Sequence, residues 1–181
     1  MSEQVRRLKE LLAADTVSIP SPDWAAIEAE LHAPLPSDYK EFIEQAGGGN
    51  VDNYLYVLAP ASPNQHYDLL EATAERDEAY EDLFDFEDKP AQLEPEGSRI
   101  IPWATTDNGE WLFWRILPGQ NPADYAILVN EARGEGWEFH ELGFAAYLTG
   151  ILDGTIQSDI LSSRFPTHPH TWRPFTDTPN Q

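Results

Sequence analysis

The chain runs to 181 residues without a single cysteine. That absence excludes disulfides, thiolate zinc sites and cysteine nucleophiles together. Cations are scarce as well: 11 Lys and Arg stand against 32 Asp and Glu, a formal net charge of −21. Binding phosphate requires Lys and Arg. Direct nucleic-acid and anionic-membrane partners are therefore excluded, whereas basic partners are drawn in at enhanced rates. No apolar run approaches the roughly 18 residues of a membrane span. The opening stretch, MSEQVRRLKELLAAD, mixes charges with leucine and lacks the apolar core of a secretory signal. The expected location is cytoplasmic. Gly47-Gly48-Gly49 is followed by no Lys-Ser/Thr, so it is not a phosphate loop, and Ser18, Ser21 and Ser98 lack a G-x-S-x-G elbow. There is no internal repeat.

What is present is a sizeable core. Hydrophobic residues make up 41% of the chain and there are six Trp, enough for one domain. The organising stretch is Ile100–Leu117. Two runs of strand-forming residues flank Asp107-Asn108-Gly109, and Asn-Gly in that setting predicts a type I′ hairpin turn. In the second run Trp111 and Phe113 face one way and Leu112, Trp114 and Ile116 the other. Strand side chains alternate, so this is a central strand covered on both sides.

Around it the patterns predict helices first. Val5, Leu8, Leu11 and Leu12 mark a short one ending near Asp15. Ser21 is expected to cap the next, with Pro22 at its first position and Trp24, Ile27 and Leu31 on its buried face. Ser37 is expected to cap a third, with Tyr39, Phe42, Ile43 and Ala46 buried and the glycines at its end. Tyr54–Leu58 reads as a strand, residues 69 to 86 as an acidic helix, and Tyr125–Val129 and Trp137–His140 as further strands. A last helix carries Phe144, Tyr147, Leu148, Ile151 and Leu152 at helical spacing. A short helical piece is expected over 156–161. The fold class is α+β, an antiparallel meander with helices mainly on one face. The expected organisation is one domain over 1–165, with its core roughly at 20–155 and an acidic helical insert at about 69–96. A Pro-rich extended tail over 166–181 follows.

Three stretches, in this order and spacing, resemble the SUKH superfamily, named partly for fungal Smi/Knr-type cell-wall assembly regulators. The first is Trp24 with Leu35, Pro36, Tyr39, Phe42 and the glycines 47–49; here Asn50 follows the glycines, where the family usually has Asn before them. The second is the strand, the Asp107-Asn108-Gly109 turn and the aromatic strand with Trp111 and Trp114. The third is the closing helix with Phe144 and Leu148. The resemblance implies a compact α+β protein-binding domain with no catalytic role. It further implies, for bacterial members, immunity: binding and neutralising a toxin, often a nuclease. An alternative is an intracellular regulatory or scaffold module acting on an endogenous partner. The motif residues carry over as structural positions rather than as a binding site.

The candidate binding residues come from charge, not from the resemblance. Glu75, Asp77, Glu78, Glu81, Asp82, Asp85, Glu87 and Asp88 form an acidic face suited to a basic toxin domain. Tyr80, Phe84 and Phe86 among them are candidate anchors. The competing reading packs those aromatics inward and leaves the acids solvated. His168 and His170, and Asp85-x-Glu87-Asp88, lack the spacing of metal sites, so no metal or cofactor is expected. Trp103, Trp111, Trp114 and Trp137 are expected in the core, with one of them partly exposed. A hydrolase would require convergent polar groups in one pocket.

Overall fold

The two runs flanking Asp107-Asn108-Gly109 form a hairpin at the middle of an antiparallel sheet that has seven strands among the described residues. The computed structural model describes residues 1–175. The strands are β1 (Gly49–Val51), β2 (Leu55–Val57), β3 (Arg99–Thr106), β4 (Trp111–Ile116), β5 (Ala126–Asn130), β6 (Trp137–His140) and β7 (Trp172–Pro174). They lie in the order β6-β5-β4-β3-β2-β1-β7. The helices are α1 (Glu3–Leu12), α2 (Trp24–Leu31), α3 (Ser37–Ala46), α4 (Leu69–Leu83) and α5 (Phe144–Asp153). The α+β meander is as expected.

The hairpin turn differs from type I′. Gly109 N–H donates to the Thr106 carbonyl at 3.0 Å, which makes Asp107 and Asn108 the central residues. Neither has positive φ, and only Gly109 does, at +94°. That is a three-residue loop closed by a glycine bulge. Neighbouring groups hold it: Glu110 N–H donates to the Thr106 hydroxyl at 3.1 Å, and Asp107 N–H donates to the Tyr54 carbonyl at 2.9 Å. A turn with two successive positive φ values does occur, at Asp52-Asn53 between β1 and β2 (φ 53° and 56°). Asp and Asn tolerate that region better than other side-chain-bearing residues.

The register assigns each side chain to a face. Trp114 pairs with Ile101 and Ile127, and Leu112 with Ala104 and Val129. On this face α3 and α5 pack directly. Tyr39 of α3 stands edge-on to Trp114 at 4.8 Å and to Phe144 of α5 at 5.4 Å. The register shifts between Pro102 and Ala104, and Trp103, between them, meets Phe144 at 5.1 Å and Tyr147 at 6.1 Å. Helix α1 lies against α3 and α5. The opposite face, with Trp111, Phe113 and Trp137, is covered by α4.

The α3 segment shows why its motif residues are what they are. Glu28 Oε1 accepts from Leu35 N–H at 2.8 Å and from the Lys40 ammonium at 2.7 Å, pinning the Leu-Pro corner to α2. Trp24 Nε1 donates to Glu44 at 2.7 Å, and the Tyr39 hydroxyl donates to the Leu58 carbonyl at 2.7 Å. Asp38 reaches across to α5, where its Oδ2 accepts from Ala145 N–H at 2.8 Å. It does the capping that Gly143, the N-cap residue, has no side chain to do.

Several local expectations are corrected. Asp23 rather than Ser21 caps α2, accepting from Ala26 N–H at 3.2 Å, so Pro22 precedes the helix. Pro36 occupies the cap position of α3 and Ser37 is its first residue. Gly49 belongs to a strand rather than to the helix end. Residues 156–161 form no helix, because the Ser158 hydroxyl and the Glu138 carboxylate accept from the backbone N–H groups of 159–161 instead. In the tail, Trp172–Pro174 adds to the sheet as β7. Residues 176–181, the end of the expected tail, lie outside the described residues.

Candidate protein-binding surface

Helix α4 begins where the Asp68 carboxylate accepts from Leu70 and Glu71 N–H at 2.9 and 3.1 Å. It buries Leu69, Ala72, Thr73 and Tyr80. Tyr80 is its main anchor. The ring packs on Phe113 at 5.4 Å and Trp137 at 5.6 Å, and the hydroxyl donates to Asn130 Oδ1 at 2.5 Å. Burial pushes the phenol well above its ordinary range, so it stays neutral and acts as a hydrogen-bonding wedge. Arg76 places its guanidinium 4.8 Å from the centre of the Trp111 ring.

Helical spacing distributes the acids over two stripes. Glu71, Glu75, Glu78 and Asp82 run along the side opposite Tyr80 and are all exposed. Asp77, Glu81 and Asp85 line a groove of about 540 Å³ floored by Tyr80, Phe84, Leu93 and Ile100. Arg99 and Lys89 enter the same groove. Arg99 pairs with Asp77 at 3.4 Å, and Lys89 sits 5.6 Å from the Phe84 ring. Glu75 is paired with Arg76 at 2.6 Å. Glu87 is half-buried and Asp88 exposed. The structure thus divides the eight candidate acids into a solvated ridge, a groove wall and a turn.

The three aromatic candidates part company. Tyr80 is core, as the competing reading held for it. Phe84 is half-buried against Tyr80 and Trp137, at 5.6 and 6.3 Å. Phe86 is 90% exposed, in the turn just past α4 between Asp85 and Glu87. A large apolar side chain so open, among carboxylates, has nothing in the described residues to pack on.

Two buried carboxylates were not singled out from the sequence. Glu110 accepts from the Tyr54 hydroxyl at 3.0 Å and from the Thr106 hydroxyl. Asp52 accepts from the N–H groups of Thr167 and Thr171 at 3.0 and 2.6 Å and faces His170 Nδ1 at 3.0 Å. The one available signal was Asp52-Asn53, a turn-favouring pair just before the Tyr54–Leu58 strand. The rings of His168 and His170 are 4.5 Å apart, and among the described residues no three His, Asp or Glu side chains converge on a metal-sized space. No helix among the described residues is long and apolar enough to cross a membrane. Trp103 and Trp114 are fully buried and Trp111 is buried, while Trp137 is half-buried.

The family model described as SMI1 / KNR4 family (SUKH-1) matches residues 19–149. The chain belongs to this family. No curated protein and no solved structure matches it. The SUKH-1 match begins just before α2 and ends within α5. It therefore includes α4 with its acidic stripes and Phe86, and leaves out α1 and β7. The three stretches that carry the SUKH resemblance all fall inside it, and in the fold they form the α2–α3 corner, the central hairpin and the start of α5.

Proposed function

We propose that this chain is a non-catalytic protein-binding domain, an immunity protein that neutralises a basic toxin domain through α4 and the turn beyond it. The observation that carries the reading is Phe86, exposed between Asp85 and Glu87 in the turn at the end of the acidic helix. Interfaces gain most of their energy from a few large anchors, while surrounding charges steer encounter and select partners. Family membership supports a binding role. So do the buried polar groups, since the Asp52 and Glu110 carboxylates are engaged in holding turns and chain segments. Polar groups spent on local structure are not poised for proton or nucleophile chemistry.

The same surface suits a regulatory module acting on an endogenous basic partner, and the gene beside this one separates the two. The test is binding of the purified chain to the protein encoded there. A one-to-one complex that abolishes that protein's toxicity, weakened about tenfold or more by Phe86→Ser, is the expected result. Full affinity in Phe86→Ser removes this surface from the interface.

A further inference from the structure

The outer edge of β1 is filled by the chain's own tail, and the fit has the form of a peptide complex. β7 runs antiparallel to β1, with Gly49 opposite Pro174, Asn50 opposite Arg173 and Val51 opposite Trp172. A Cβ on Gly49 would lie 2.5 Å from the Arg173 carbonyl oxygen and 2.7 Å from the Trp172 ring. Glycine is thus required here by the incoming strand. The Trp172 ring stands edge-on to Phe42 at 5.2 Å, and its indole N–H donates to the Ala46 carbonyl at 3.2 Å. Beyond it, the fully buried Asp52 carboxylate gathers Thr167, His170 and Thr171 as described, and Asp52 N–H donates to the Thr171 carbonyl at 3.0 Å. Strand addition of this kind takes affinity from the main chain and specificity from side-chain slots.

The chemistry of the occupant is unlike that of the rest of the chain. Between Asp159 and Asp177 runs the longest stretch without an acidic residue, and it contains Arg164, Arg173, His168 and His170. Setting aside its two arginines, the whole-chain charge of −21 becomes −23 on the remainder. A basic, aromatic strand therefore lies on an acidic body. It also lies beyond the family match, at the sheet edge, in a ladder of three residues. Short edge elements open far more readily than central ones.

We propose that the β1 edge is a docking site for an extended basic segment of a partner protein, with an aromatic side chain for the Trp172 slot, and that residues 166–175 are its displaceable occupant. This surface is separate from α4 and does not rest on the role proposed for it. The incoming strand takes over the β1 ladder and the Asp52 carboxylate, and the tail leaves.

The probe is a fluorescent peptide with the sequence of residues 163–175, titrated into the full chain. Trp172→Ala, which empties the slot, is expected to bind it about tenfold more tightly than wild type. Adding Asp52→Asn or Gly49→Val to Trp172→Ala is expected to remove that gain. Asp52→Asn keeps the volume at that position and guards against a folding failure of Gly49→Val. In wild type, the backbone amides of Thr171 and Trp172 are expected to exchange with solvent faster than those of β3 and β4. Equal peptide binding by all variants, or no binding by any, overturns the proposal. So does tail exchange as slow as that of the central strands, or a dimer in which a second copy's tail fills the groove.

Discussion

The two faces of the sheet are closed by opposite means. On one, α3 and α5 press Tyr39 onto Trp114 and Phe144 onto Trp103, with Phe42 packed on Phe144, and every one of these side chains is withdrawn from solvent. On the other, α4 spans Trp111, Phe113 and Trp137 with help from His66 at the Trp111 ring, presents a row of carboxylates outward, and leaves Phe86 uncovered. The first face shows what the fold needs. The second shows what the fold tolerates, and a tolerated cost is where function is expected. Like charges at i, i+3 and i, i+4 destabilise a helix by some tenths of a kcal/mol per pair. Glu71, Glu75, Glu78 and Asp82 include three such pairs, and nothing in the packing requires them.

The largest effects are expected where the first face is broken. Trp114→Ala should cost about 4 kcal/mol, because a fully buried indole is lost from a close-packed site. Trp137→Ala, on the half-buried margin of the second face, should cost about 2 kcal/mol by the same reasoning. Urea denaturation compares them, and equal losses would erase the distinction between the faces.

Gly109→Val should cost about 1–2 kcal/mol, since a β-branched residue is strained at φ +94°. A wild-type melting temperature would contradict the glycine-bulge geometry of the central hairpin.

A third comparison is by pH. Burial pushes the Asp38 carboxyl above its ordinary range, partly offset by the hydrogen bonds from Ala145 and Tyr39 N–H. A raised acid favours the folded state while it is protonated, so this contribution is present at low pH and lost as pH rises through the folded value. Glu28 is opposite in sign. Burial pushes it up, but the Lys40 ammonium and the Leu35 N–H together hold it below its ordinary value. Its contribution is present above the ordinary carboxylate range and lost as pH falls through the lowered one. Asp38→Asn should therefore steepen the loss of stability in acid, and Glu28→Gln should flatten it. Chemical denaturation between pH 3 and 6, on the order of the carboxylate range, reads both, and parallel curves for the two variants would refute these environments.

The smallest stability effect is expected from the acids. Replacing Glu71, Glu75, Glu78 and Asp82 with Ser should move stability by no more than about 0.5 kcal/mol. The same variant should slow association with a basic partner and flatten its salt dependence. A large loss of stability would make the ridge structural after all.

The legible parts of the fold were those where local pattern and packing agree. The spacing of Tyr39, Phe42 and Ile43, or of Phe144, Tyr147 and Leu148, announces a buried helix face, and the alternation of Trp111 to Trp114 announces a strand covered on both sides. What stayed hidden depends on partners distant in sequence. The hairpin turn is set by Tyr54 and Glu110 as much as by Asn108-Gly109. Asp38 caps a helix more than a hundred residues away. β7 has three residues with two prolines close by, and only the β1 edge and Asp52 make it a strand. At the proposed binding surface, the acids and aromatics were legible in the sequence, but only the fold separates buried Tyr80 from exposed Phe86.

The measurement that bears most directly on this account is a paired capture experiment with wild type and Phe86→Ser as baits, with the adjacent gene's product included. Wild type should retain a basic protein that Phe86→Ser loses, while both baits melt at the same temperature. Retention of the same partner by both baits would contradict the assignment of the α4 face as the binding surface.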